Sequence, residues 1–202
     1  MSFVKLLLNI CLLGTFLQEI HGQGMMITPV SRSSAWRFGF PVEQNFNDDD
    51  VSCGGDTQFF QNHGKCGECG DDYAAVRPRP NENGGIYGTG VIVKKSNFTM
   101  KVKVKLTTNN LGTFKFHVCP LNQTNSLETE ECFNKYPIIL SDYDNLLSYM
   151  YQIPNFQTTF NIEIQLPRIS CKHCVFRWTY ETTRDLYGRQ RIFRNCADIT
   201  IV

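Results

Sequence analysis

Nine cysteines in a chain of 202 residues constrain this sequence more than any other feature. Four of them form two Cys-x-x-Cys pairs, Cys66/Cys69 and Cys171/Cys174. Such a set reads as thiolate metal ligands or as a disulfide framework, and the redox compartment decides between them. The first residues speak to the compartment. Lys5 precedes an apolar stretch from Leu6 to Leu17, which suits a secretory signal and is too short to span a bilayer. A cut after Gly22 leaves small Gly22 at the −1 position, whereas a cut after Ile20 leaves a bulky side chain there. A signal peptide over 1–22 and a mature chain over 23–202, beginning at Gln23, are therefore expected. Losing Cys11 reduces the nine cysteines to eight: Cys53, Cys66, Cys69, Cys119, Cys132, Cys171, Cys174 and Cys196. In a secreted, extracellular protein this even set is expected to form four disulfides rather than a four-thiolate zinc site, with the pairing left open. The sequons Asn97-Phe-Thr and Asn122-Gln-Thr fit the same compartment and are expected on the surface as glycosylation acceptors.

The 20 basic residues nearly balance the 19 acidic ones, so overall charge gives no case for nucleic acid or a membrane surface as partner. With 42% hydrophobic residues, the chain can bury the core of one domain. Period-two patterning says what kind. Met100, Val102, Val104 and Leu106 alternate with Lys101, Lys103 and Lys105, which predicts a strand with a lysine face in water. Phe114, Phe116 and Val118 alternate with Lys115 and His117, and Phe160, Ile162, Ile164 and Leu166 with Asn161, Glu163 and Gln165. Residues 174–180 and 196–202 read the same way, and a short helix is expected around Ser141 to Tyr151. Residues 41–90, rich in Gly, Pro, Asn and Asp, are expected to be disulfide-pinned loops. The fold class expected is all-β, an antiparallel immunoglobulin-like β-sandwich with long decorating loops.

Several segments, in order, resemble one family. They are Gly24-Met-Met-Ile-Thr-Pro-Val-Ser-Arg-Ser-Ser-Ala-Trp-Arg-Phe-Gly-Phe40, Cys53-Gly-Gly, Gly64-Lys-Cys-Gly-Glu-Cys-Gly-Asp71, Gly84-Gly-Ile-Tyr-Gly-Thr-Gly90, Thr107-Thr-Asn-Asn-Leu-Gly-Thr-Phe-Lys-Phe116 and Phe193-Arg-Asn-Cys-Ala-Asp-Ile199. Together they resemble the chitin-binding type-4 fold of animal lytic polysaccharide monooxygenases, auxiliary-activity family fifteen. The resemblance implies a sandwich that docks on a polysaccharide surface such as chitin. In its enzymes, it implies one copper held by an N-terminal histidine and a second histidine.

Both ligand positions are altered in this sequence. Counting back from Pro29 and Arg32 sets Gln23 on the N-terminal histidine. The second histidine's stretch reads Thr107-Thr-Asn-Asn110-Leu-Gly, with Asn110 in its place. A neutral amide is a poor copper ligand beside imidazole. Arg177 stands where the family's neutral or acidic neighbour of the copper is expected, and Phe193 matches the aromatic residue on the copper axis. His21, exposed by an unusual cut, with His117 or His63 as its partner, is the alternative metal set. His117 otherwise reads as an exposed histidine on a polar strand face, His63 as a loop residue, and His173 as a surface residue flanked by a disulfide.

Trp36, Phe38, Phe40, Tyr73 and Tyr87 are candidates for stacking on sugar rings, Trp36 equally for a place in the core. Asp48, Asp49 and Asp50 lack the ligand spacing of a calcium loop and read as solvated. The expectation is a secreted polysaccharide-binding protein without cofactor, its copper chemistry lost. The alternatives are a copper-dependent oxidase of chitin or cellulose and an extracellular scaffold for a protein partner.

Overall fold

A computed structural model of the chain describes residues 24–121, 123, 125–141 and 147–202. The expected signal peptide, Gln23, His21 and Asn122 lie outside the described residues. The strands are β1 (Gly24–Thr28), β2 (Lys94–Ser96), β3 (Thr99–Leu106), β4 (Thr113–Pro120), β5 (Leu140–Ser141), β6 (Leu147–Ser148), β7 (Tyr151–Gln152), β8 (Thr159–Gln165), β9 (Cys171–Glu181) and β10 (Ile192–Ile201). A sheet ordered β1-β3-β8 packs on one ordered β2-β10-β9-β4-β7, and β5 pairs with β6. This is the expected β-sandwich, antiparallel except where β2 runs parallel to β10.

In β3 and β8 every second residue is buried, as their sequences foretell. Their Met100, Val102, Val104, Phe160, Ile162 and Ile164 meet Phe116, Val118, Phe176 and Trp178 of the larger sheet. Phe114 is the hub, edge-on to Phe160 at 5.0 Å, to Trp178 at 5.3 Å and to Tyr180 at 5.4 Å.

β9 and β10 lose this alternation because both of their faces are covered. The outer face lies beneath helix α2 (Glu130–Lys135) and the loop that carries Cys69. Thr129 starts α2 by accepting a hydrogen bond from the Cys132 N–H at 3.1 Å. Four disulfides form, Cys53–Cys66, Cys69–Cys196, Cys119–Cys132 and Cys171–Cys174, of which Cys69–Cys196 and Cys119–Cys132 hold these layers. The first Cys-x-x-Cys pair thus splits between two partners and the second closes on itself. Residues 41–90 contain one short helix, α1 (Thr57–Phe60), and are otherwise loop, as expected.

Two local expectations need correction. Of the segment expected to be a short helix around Ser141 to Tyr151, residues 142–146 lie outside the described residues. Ser141, Leu147, Ser148 and Tyr151 are in strands, with Leu140 opposite Ser148 and Tyr151 opposite Phe114, because pairing satisfies backbone groups that so short a helix leaves open. Of the three aspartates read as solvated, Asp50 is exposed and Asp49 half-buried, but Asp48 is buried and its carboxylate accepts two hydrogen bonds from Arg37, at 2.6 and 2.9 Å.

Candidate functional site

The end of the sandwich where β1 enters gathers the loop 107–112, the end of β9 and the start of β10. Gly24, the first described residue, sits opposite Leu106, and its N–H donates to Asp49 O at 2.9 Å. A Cβ there would meet Leu106 Cδ2 at 2.5 Å and Trp178 at 3.2 Å, so the strand approaches this closely only as glycine. Asn109 shapes the loop. Its side-chain oxygen accepts from Leu111 N–H at 2.8 Å, while its amide donates to Pro154 O and Gln157 O at 3.0 and 2.7 Å. Gly112, at φ 103°, lets the chain turn back against Glu181 and Thr182, where a Cβ would strike backbone.

Asn110 is held from both sides. Its N–H donates to the Tyr180 hydroxyl at 3.0 Å, and its carbonyl accepts from the Thr183 hydroxyl at 3.0 Å. Tyr180 lies opposite Phe193 in the β9–β10 register, and their rings stack with centroids 5.6 Å apart. Burial pushes the Tyr180 phenol up to about 12, which keeps it a neutral hydroxyl. Asn110 and Phe193 therefore belong to one cluster, joined through Tyr180. Sequence reasoning missed Tyr180, although the alternation of β9 turns it inward beside Phe193.

Arg177 does not belong there. In β9, Phe176, Trp178 and Tyr180 face the core, so Arg177 projects through the opposite face. It lies over the Phe133 ring at 3.9 Å and donates to Glu130 at 2.7 and 3.0 Å. Its expected place beside a copper position is thus corrected by strand parity. Glu130 also accepts from Arg194 at 3.1 and 3.4 Å. Despite partial burial, the two guanidinium groups hold its carboxyl down at about 2.

His117 faces Arg177 across β4 and β9. The reading as an exposed histidine is corrected: α2 roofs this polar face, and the Nδ1 atom is buried without a hydrogen-bond partner. Burial first, and then Arg177, lowers its pKa to about 4. His63 is exposed in the turn after α1, with φ 51°. His173 sits 2.6 Å from Asp198, near the far end of β10. Asp198 is five residues beyond Phe193, about 17 Å along an extended strand. Among the described residues, the one close group of three potential metal ligands is Cys69, Glu128 and Cys196, and its two sulfurs form a disulfide.

The five aromatic candidates scatter. Trp36 is half-buried, edge-on to Phe46 at 5.4 Å and covered by Arg37, and its indole N–H donates to Asn45 O. Tyr87 lines a narrow cleft with Arg32 and Asp198. Tyr73 is partly exposed between Lys65 and Arg79, Phe38 is exposed, and Phe40 half-buried.

Other exposed apolar side chains rim the Asn110 cluster and were not singled out from sequence. Leu111 is in the same loop, and Phe156, 99% exposed, lies in the segment that Asn109 holds. Leu186 and Tyr187, 101% and 82% exposed, form the tip of a turn after β9. Asp185 builds that turn by accepting from the Tyr187 and Arg189 N–H groups at 2.8 and 2.9 Å. Phe60 of α1 is also exposed, and an ion pair between Asp56 and Arg191 ties its loop to the same turn.

The fold is the β-sandwich of lytic polysaccharide monooxygenases, a family that acts on polysaccharides. The family model described as lytic polysaccharide mono-oxygenase, cellulose-degrading, matches residues 21–199, and the chain belongs to that family. It is similar to the auxiliary-activity family fifteen lytic polysaccharide monooxygenase of Thermobia domestica, solved in the Cu(I) state. Identity is 36% over 88% of this chain and 98% of that one, with a TM-score of 0.81. The catalytic domain of a Listeria monocytogenes lytic polysaccharide monooxygenase shares the fold at 14% identity, covering 89% of this chain and 99% of that one, with a TM-score of 0.54. No curated protein matches the chain.

Proposed function

We propose that this is a secreted polysaccharide-binding protein, with chitin or another β-linked polysaccharide as its ligand, that has lost copper-dependent catalysis. One observation carries the reading: the residue at the heart of the Tyr180–Phe193 cluster is Asn110, where the family motif has imidazole. The Asn110 backbone is committed to Tyr180 and Thr183, which leaves only a neutral side-chain amide to offer. That donor set does not fit a site of three basic nitrogens. Binding without chemistry needs only the loop rim, whose apolar side chains suit the apolar faces of sugar rings. Copper titration of the secreted protein tests the reading. The expected result is no tight site, and one copper bound tightly overturns it. Retention on chitin and cellulose tests the ligand, and failure on both favours a protein partner.

A second reading, an active copper-dependent monooxygenase, draws support from the family match, which begins at His21. N-terminal sequencing of secreted material separates the two, because a chain that begins at Gln23 has no histidine to offer as N-terminal ligand. His117, beneath α2 beside Arg177, is poorly suited to complete such a site.

A further inference from the structure

The near-balance of charge across the chain conceals an asymmetry. Five of its ten lysines, Lys94, Lys95, Lys101, Lys103 and Lys105, fall within twelve residues. The β-structure brings all five to exposed positions on β2 and the outer face of β3. The arginines behave differently: Arg32, Arg37, Arg77, Arg79, Arg177 and Arg194 are each tied to a carboxylate. None of the five lysines forms an ion pair among the described residues.

The lysines also surround hollows. Two adjoining depressions, of about 500 and 580 Å³, share Lys94, Lys101 and Glu163 as lining residues; Lys95 lines the first and Lys103 the second. Glu163, opposite Lys101 in the β3–β8 register, is the acidic residue facing them. Alternate residues on β3 set its ammonium groups about 6.6 Å apart, a row rather than a point. β2 pairs with the far end of β10, Lys94 opposite Ile199. The trough therefore lies about 20 Å along β10 from Phe193 and the Asn110 cluster.

We propose that this trough is a second glycan-binding surface, for a linear polysaccharide that carries sulfate or carboxylate groups. A row of compact ammonium charges suits repeated anionic groups on an extended chain. Base readout and stacking would favour arginine forks and a series of aromatic faces, whereas the trough has no arginine and one nearby exposed ring, Phe98. A membrane surface would call for several apolar anchors around the lysines. The inference is independent of whether the Asn110 end binds chitin, since the two surfaces share no residue.

Binding of heparin fragments to the intact secreted protein tests it. At about 50 mM NaCl the wild type is expected to bind, and affinity falls with salt at a logarithmic slope of about 3 to 4, the signature of about four neutralised charges. The exposed triple substitution Lys94→Thr/Lys101→Thr/Lys103→Thr is expected to weaken binding by about tenfold or more and to reduce the slope by about 2 to 3. Its melting temperature and its retention on chitin should match wild type. Absence of binding at low salt, or an unchanged triple variant, overturns the proposal. Equal affinity for single-stranded DNA or phosphatidylserine vesicles overturns the assignment to a glycan. The sequon at Asn97 borders the first depression. Heparin binding that appears only in Asn97→Gln also counts against the proposal, because a sugar there would then cap the trough in the natural protein.

Discussion

The backbone N–H of Asn110 donates to the hydroxyl of Tyr180 at 3.0 Å. This bond ties the loop at the β1 end of the sandwich to a side chain rooted in the core. Tyr180→Phe removes the acceptor and keeps the ring on Phe193. The expected cost is about 1 kcal/mol, the usual worth of one such hydrogen bond. Faster amide exchange should be confined to residues 109–112 and 183. Urea denaturation with hydrogen exchange checks both, and unchanged exchange would show that Asn109 and Thr183 hold the loop without the Tyr180 bond.

Arg32 supports a different part of the molecule. It donates to both oxygens of Asp198, at 2.7 and 2.8 Å, to Asn81 O at 2.8 Å and to Glu128, and the side chains of Arg32, Asp198 and Glu128 are all nearly inaccessible. Arg32→Met leaves buried Glu128 without its ion-pair partner and buried Asp198 with His173 alone, at a cost of about 3–5 kcal/mol. Arg32 also holds Asp198 down at about 2 against the cost of its burial. A carboxyl lowered in the fold stabilises above its unfolded value near 4, and that stability is lost as pH falls towards 2. Thermal melts from pH 6 to 2 should therefore show a steep acid loss in wild type and a shallower one in Arg32→Met.

Much of this fold was legible in the sequence. β3 and β8 announce themselves because one face meets the core and the other meets water, so apolar and polar residues alternate. β9 and β10 carry polar residues on a face that is nevertheless covered. Alternation alone places a polar side chain in solvent, so it predicts an exposed His117 and gives no sign of the pairing of Arg177 with Glu130. The partner, Glu130, comes from a six-residue helix more than forty residues away, and no local pattern records such a contact. The cysteine set implied four bridges, yet the Cys69–Cys196 pairing spans 127 residues and follows from the fold rather than from spacing. At the candidate site, Asn110 and Phe193 were found through motifs. The exposed rim, Phe156, Leu186 and Tyr187, lies in segments without pattern, where only the three-dimensional arrangement gives the residues a common address.

His117 has a pH signature of its own. An imidazole lowered to about 4 stays neutral in the fold while the unfolded chain takes up protons from pH 6.5 downward. Its contribution to stability is full above pH 6.5 and declines as pH falls to about 4. Asp71, raised to about 6 chiefly by burial, acts in the opposite sense across part of this range, so the whole-protein curve blends the two. The difference between wild type and His117→Asn isolates the histidine. Relative stability should shift towards the variant as pH drops from 6.5 to 4, and the His117 ring resonances should titrate near 4. A ring titration near 6.5 would show that α2 does not shield it.

The disulfide Cys69–Cys196 joins the loop over the outer face to the middle of β10. Replacing both cysteines with alanine is expected to cost about 2–5 kcal/mol, the usual range for a native bridge in a secreted domain. Loss should be larger than for Cys53–Cys66, which closes a segment of 13 residues within one loop. Guanidinium unfolding of the two double variants gives the comparison. Equal losses would indicate that native-state packing, rather than loop closure in the unfolded chain, sets the size of the effect.

The turn bearing Leu186 and Tyr187 is held by Asp185 and Arg189, with Arg189 over the Tyr187 ring at 5.1 Å. Its exposed tip makes it separable from folding, since truncation at such a site changes stability by about 0.5 kcal/mol or less. If the rim around Asn110 docks on a polysaccharide, Leu186→Ala/Tyr187→Ala should lower retention on chitin by about tenfold, the loss of about 1.4 kcal/mol of contact. Trp36→Ala should do the reverse: its ring is half-buried between Arg37 and Phe46, so stability falls while binding by the folded fraction is kept. Pull-downs scored against the folded fraction of each variant distinguish these outcomes. Unchanged retention in the double variant, with loss in Trp36→Ala, would move the binding face from the Asn110 end to the Trp36 segment.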